Sequence, residues 1–130
     1  TIRNQYIHVM LGDIRLDELA GEIRGQRLDH EQLVLLHSLL EAQRYRQQMF
    51  MSCGWFFEDF SRIEPRNVVA YAAQVVQLNK LATGIDLTEQ VMTDLRYVTS
   101  QSGHIRGDIV FAGYLHRVDV EKRNSITSPA

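Results

Sequence analysis

Between Glu31 and Cys53 the chain carries neither Pro nor Gly. An uninterrupted stretch of that length is too long for an ordinary strand and specifies a helix. Asp29 stands at its start with Gln32 three residues on, the spacing of a capping box. With only two Pro and eight Gly in 130 residues, the other elements are also expected to be long and little interrupted.

On a wheel of about 100° per residue, Leu35, Leu36, Leu39, Leu40, Ala42, Met49, Phe50, Met51, Cys53, Phe57 and Phe60 crowd one half of this helix if it continues to residue 60. His37, Glu41, Arg44, Tyr45, Gln48, Ser52 and Asp59 fall on the other half. Trp55 projects onto that polar side. Gln43, Arg46, Gln47 and Glu58 lie on or near the apolar side and need partners if buried.

Helical periodicity covers the rest of the chain. Ile2, Tyr6, Val9 and Met10 form a short amphipathic run that ends at Gly12. Asp13 can cap a second run, with Leu16, Leu19, Ala20 and Ile23 on one face and Gly25 at its end. Pro65 opens another helix in the favoured first turn. Val68, Tyr71, Ala72, Val75, Val76 and Asn79 lie on one of its faces, and Arg66, Gln74 and Gln77 on the other. Thr83-Gly84 closes it. Asp86 and Glu89 have capping-box spacing ahead of Leu87, Val91, Leu95 and Val98. Ser100-Gln101-Ser102-Gly103 reads as a loop, and Asp108 to Val118 as a last helix. No strand pattern or internal repeat stands out. Val110-Phe111 is strand-like, but Gly107 and Gly113 flank too short a run.

These elements predict an all-α fold, a helical bundle of three longer helices with shorter ones at its ends. The bundle is expected over residues 1–118, followed by a polar, irregular tail at 119–130. Expected inward residues are Leu36, Leu39, Leu40, Phe50, Cys53, Phe57, Val68, Tyr71, Ala72, Val75, Leu95 and Val98. On this phase Phe57→Ala costs about 3–5 kcal/mol.

Charge and composition narrow the function classes. Lys plus Arg total 14 and Asp plus Glu 16, a net charge of -2. This lacks the basic excess of a nucleic-acid binder. No apolar run is long enough to span a membrane, and the first residues lack the apolar core of a signal peptide. A single Cys excludes an internal disulfide and fits a reducing, cytoplasmic compartment. A chain that begins with Thr rather than Met reads as processed or truncated.

Metal and nucleophile signals are sparse. His8, His30, His37, His104 and His116 have no second His at helical spacing, and no metal or cofactor site is implied. His37 and Glu41 share a face and read as an exposed pair. Cys53 falls on the inward half as a buried structural thiol. Glu58 and Asp59 are adjacent and point about 100° apart on a helix, so they do not face each other across a glycosidic bond. No catalytic residue is assigned.

The chemistry concentrates in Met49 to Phe60, which holds the single Trp, the single Cys, four Phe, two carboxylates and a Gly. An outward Trp55 beside Ser52 and Asp59 suits stacking on a sugar ring with hydroxyl partners. It also suits a protein interface, where Trp is enriched; if Gly54 distorts the helix, Trp55 is a core residue. Gly54 costs a helix about 1 kcal/mol against Ala. Close approach of a backbone or ligand, or a local kink, would account for it.

Leu40-Glu41-Ala42-Gln43-Arg44 and the segment Met49 to Glu64 resemble the C-terminal helical domain of bacterial glycoside hydrolase family 57-like proteins, a domain of unknown function. Ala70-Tyr71-Ala72-Ala73, Gln77-Leu78 and the early Tyr6-Ile7-His8-Val9-Met10-Leu11 extend the likeness. It is specific over about Leu39 to Leu81 and thins from Ile85. The resemblance implies that a barrel-like catalytic domain precedes these helices and acts on α-glucans or related saccharides. It implies that Trp55 aligns with a Trp at the active-site cleft in a Ser-x-Asp-Trp-like motif. Ser52 and Trp55 match that motif, and Gly54 stands where its acidic residue would be.

The expected role is therefore a non-catalytic helical domain that packs on the N-terminal catalytic domain of the same polypeptide. Trp55, Ser52 and Asp59 would be the saccharide contacts, with an α-glucan or oligosaccharide as ligand. The alternative is a helical protein-protein interaction module unrelated to carbohydrate. A small metal-binding four-helix protein is disfavoured, because the Glu-x-x-His pairs of such bundles are lacking.

Overall fold

The computed structural model describes residues 1–57 and 59–127; for Trp55 and residues 122–127 it describes the backbone alone. Among them are seven helices: α1 (Ile2–Leu11), α2 (Leu16–Arg24), α3 (His30–Gln48), α4 (Ser52–Phe56), α5 (Ile63–Thr83), α6 (Thr88–Leu95) and α7 (Gly107–Thr127). The only sheet-like feature among the described residues is an isolated antiparallel bridge between Thr99 and Arg106. The fold is all-α. Its three longer helices, α3, α5 and α7, form the body, with α5 packed on both α3 and α7. α4 lies on α5, α6 on α7, and α1 and α2 continue outward from α3.

Local chemistry sets several boundaries. The Asp29 carboxylate accepts from Gln32 N (2.8 Å), and the Gln32 amide oxygen accepts from Asp29 N (3.1 Å). This is the expected reciprocal box at the start of α3. Gly84 ends α5 in the left-handed conformation (φ 75°), which glycine adopts without steric cost. Asp13 does not cap α2. It pairs with His8 (3.1 Å), and Arg15 is the N-cap, with Glu18 folding back to its backbone N–H. Asp86 likewise accepts from Thr88 N (2.9 Å) and pairs with Lys80 (2.7 Å), so α6 opens on an Asx turn rather than a capping box with Glu89. α7 runs on to Thr127, so residues 119–127 prolong a helix instead of forming an irregular tail, and residues 128–130 of that expected tail lie outside the described residues.

The main correction concerns the long helix. α3 stops at Gln48, and the chain turns through Met49 and Phe50 before α4. No breaker residue lies there, so the reason is tertiary. Ending a helix forfeits a few tenths of a kcal/mol per residue, whereas burying a Phe is worth about 1.5–3 kcal/mol. The turn, with a second one at residues 59–62, delivers Phe60 into a core cluster with Val69, Ala73, Val76 and Phe111. One wheel phase therefore cannot serve residues 30–60. Phe50 (65 % exposed), Leu39 and Cys53 face solvent rather than the core, and Phe57 is only half-buried. The full core penalty thus belongs to Phe60 and Phe111, not Phe57. Val98, past the end of α6, is exposed as well.

The expected face of α5 is met at Val76 and displaced by one position elsewhere. Its most buried residues are Pro65, Val69, Ala73 and Val76, while Val68, Tyr71, Ala72 and Val75 are half-buried. A helix flanked on two sides needs two apolar stripes, and a single-face wheel finds only one. Tyr71 meets Tyr45 of α3 (ring centroids 6.0 Å apart), while Val69, Ala73 and Val76 meet Phe111 of α7.

A polar cluster ties α1 to α3. The half-buried Glu41 carboxylate accepts from Tyr6 Oη (2.8 Å) and from Arg44 at 2.6 Å. The Tyr6 ring also lies edge-on to His37 (centroids 6.5 Å apart). Glu41 is therefore not half of an exposed pair with His37. Burial pushes its carboxyl up, but the bonds from Arg44 and Tyr6 outweigh that and leave it below the usual range. Burial, then the Glu41 bond, drives the Tyr6 phenol well above its ordinary value. Glu41 is depressed in the folded state, so its contribution is present above its ordinary carboxyl range and fades as pH falls through the folded value. Glu41→Gln is expected to destabilise by about 1 kcal/mol at neutral pH, allowing for partial solvent screening. Urea melts at pH 7 and pH 3 check this: the gap between wild type and variant should shrink at the lower pH.

Candidate functional site

The residues singled out from sequence surround α4. Ser52 is its first residue and is exposed. Trp55 lies in the same short helix; its side chain, and Glu58 entirely, fall outside the described residues. Asp59 follows and does structural work. Its Oδ1 accepts from Ser61 N (2.7 Å) and its Oδ2 from Gln101 N (3.1 Å), joining the turn before α5 to the loop after α6. These two backbone N–H groups hold its carboxyl below the usual range. A carboxylate has about four acceptor positions, so Asp59 keeps capacity for another donor.

An apolar groove of about 420 Å³ opens beside Asp59. Gly54 and Phe57 form one wall, Val68 and Pro65 of α5 the floor, and Leu95 and Val98 the far side. Gly54 makes the wall possible. A Cβ there would overlap Val68 Cγ2 and lie 3.5 Å from the Glu64 carbonyl oxygen, so α4 rests directly on α5. Close backbone approach, one of the reasons anticipated for this glycine, is therefore the structural one. Phe57 is held by Phe56 (rings edge to face, centroids 5.2 Å apart) and by Arg62, whose guanidinium carbon lies 3.9 Å from its ring centroid.

Apolar side chains in and next to α4 are open to solvent: Phe56 is 79 % exposed and Ile63 61 % exposed, and Phe50 and Met51 are exposed as well. Cys53 is a free, exposed thiol there, not a buried structural one. Gln48, in the last turn of α3, has a buried amide oxygen without a hydrogen-bond partner among the described residues.

Among the described residues, no three His, Cys, Asp or Glu side chains converge as metal ligands. No described helix is long and apolar enough to cross a membrane. Asp108, which the sequence marks only as a helix start, is a carboxylate 2 % exposed in the first turn of α7. Arg106 grips it through two nitrogens, Arg96 stands 3.7 Å away, and these bonds, Arg106 first, hold its carboxyl low. The spacing Arg106-Gly107-Asp108 at a helix start was the available signal. The arrangement anchors the 99–106 loop and offers no open acceptor to a ligand.

The family model for the domain of unknown function DUF3536 matches residues 1–122. The chain belongs to that family. No curated protein and no solved structure matches it. The DUF3536 match covers all of α1 to α6 and most of α7, so the groove and the exposed apolar residues near α4 lie wholly inside the family domain.

Proposed function

We propose that this DUF3536 domain is the helical C-terminal part of a bacterial family 57-like glycoside hydrolase, non-catalytic by itself. In this reading it docks the surface around α4 onto the N-terminal catalytic barrel of the same polypeptide. Trp55 would reach the saccharide cleft by stacking on an α-glucan or related oligosaccharide, with Ser52 and Asp59 offering hydrogen bonds to its hydroxyls. The observation that carries the docking is the exposure of Phe50, Phe56 and Ile63 within one short stretch. Exposed apolar surface concentrated in this way marks an interaction site. The saccharide part rests on the resemblance over Leu39 to Leu81. Contact between Gly54 and Val68 also leaves no room for the acidic side chain of the amylolytic motif, so recognition falls to the remaining residues.

Titrating the full-length protein with maltooligosaccharides while following Trp emission tests this. We expect a saturable change in wild type that is lost in Trp55→Ala together with a large part of the activity. An unresponsive wild type with full activity in Trp55→Ala would remove the saccharide role. The same apolar surface also fits docking on a separate protein partner unrelated to carbohydrate. A natural reading frame without a catalytic domain would favour that alternative.

A further inference from the structure

We propose that the cleft between the start of α5 and the middle of α7 binds a phosphate group, a site separate from the groove at α4 and independent of the saccharide reading. Its volume is about 190 Å³, and Arg66, Tyr114 and Arg117 wall it. The Arg66 Nε donates to the Phe60 carbonyl, which orients the guanidinium and leaves its two terminal nitrogens without a partner among the described residues. Arg117 stands 5.3 Å from the centroid of the Tyr114 ring. At Gly113, between the walls, an added Cβ would meet nothing within 4 Å, so the space above the helix is open.

The charge pattern selects the ligand. Arg15, Arg44, Arg62, Arg96 and Arg106 each have a carboxylate within ion-pair distance. Arg66 and Arg117 have none among the described residues, as is true of Arg3, Arg24, Arg27 and Arg46, but Arg66 and Arg117 share one cleft that no Asp or Glu lines, although Glu121 lies one helical turn beyond Arg117. Two unneutralised guanidiniums on one small cleft repel each other, and a dianion between them turns that repulsion into attraction. A planar carboxylate is satisfied by one guanidinium fork. A phosphate carries the second charge and the extra oxygens that two arginines from different helices, with a Tyr hydroxyl, can share.

The test follows backbone amide NMR shifts of the 130-residue chain at constant ionic strength. Three probes are titrated: inorganic phosphate, glucose 6-phosphate as a phosphomonoester, and acetate as a singly charged carboxylate. We expect saturable shifts centred on residues 109–117 with either phosphate, and none with acetate. Tighter binding of the monoester assigns the site to a phosphorylated small molecule; equal binding assigns it to free phosphate. Arg117→Gln, at an exposed helix position, should weaken binding about tenfold. Arg117→Lys should fall between, and Arg24→Gln on α2 should change nothing. No saturable shift with either phosphate, equal response to acetate, or unchanged affinity in Arg117→Gln would each overturn the proposal.

Discussion

Phe111→Ala is expected to destabilise the domain by about 3–5 kcal/mol. The ring is fully buried and sits where α5 and α7 meet, against Phe60, Val69, Ala73 and Val76. Its neighbours cannot readily fill the space it would leave. Ala73 has no side chain beyond Cβ. Gly107, at the start of α7, is held between the Leu95 carbonyl and the Phe60 ring, where an added Cβ would come within 2.9 Å and 3.3 Å. A void that cannot collapse adds a cavity cost to the lost transfer energy, which places this site high in the range. Urea denaturation with a fixed slope measures it, and Phe56→Ala supplies the contrast. That ring is the same size but mostly in water, so its loss should change stability by less than about 0.5 kcal/mol. A Phe111→Ala cost as small as that would mean the α5–α7 seam is not the core.

Gly54→Ala carries the second large effect, and its sign comes from two opposed terms. Replacing a helical glycine by alanine favours the helix by about 1 kcal/mol. The new Cβ, however, would overlap Val68 Cγ2. Val68 is β-branched, with little rotamer freedom on a helix, so it cannot swing aside. Overpacking of this kind costs about 1–3 kcal/mol, and we expect a net loss of about 1–2 kcal/mol. Val68→Ala in the same chain removes the colliding methyl and leaves the Val68 Cβ at an ordinary 3.5 Å from the new atom. The double variant should therefore be more stable than the sum of the single losses, a positive coupling that a double-mutant cycle reads directly. Additive losses would mean that α4 does not rest on α5 at this point. The same contact positions the wall of the groove, so the cycle also tests the geometry of the candidate site.

The candidate site was legible only in part. Sequence alone marked Met49 to Phe60 by its unusual chemistry and gave Gly54 a reason to be glycine. It misjudged which of these residues face outward, because the wheel assumed one straight helix from residue 29 to 60. The groove could not have been read at all. Its walls come from α4, α5 and the end of α6, and nothing in the spacing of Gly54, Val68 and Leu95 says that they meet. Glu41 and Arg44 were visible as polar neighbours on a helix, but the Tyr6 hydroxyl that reaches Glu41 across 35 positions was not.

Local chemistry, which acts within a few residues, was written in the sequence. Helical periodicity, the Asp29–Gln32 box and the glycine after Thr83 made the chain all-α and set several helix ends, because caps and breakers act on their immediate neighbours. Tertiary structure alone decided where the long helix ends, which stripes of α5 are buried and which aromatics stay in water. Those outcomes depend on burying Phe60 and Phe111 together. The free energy of that burial exceeds the propensity of the few residues that must leave the helix, and it exists only once distant segments have met.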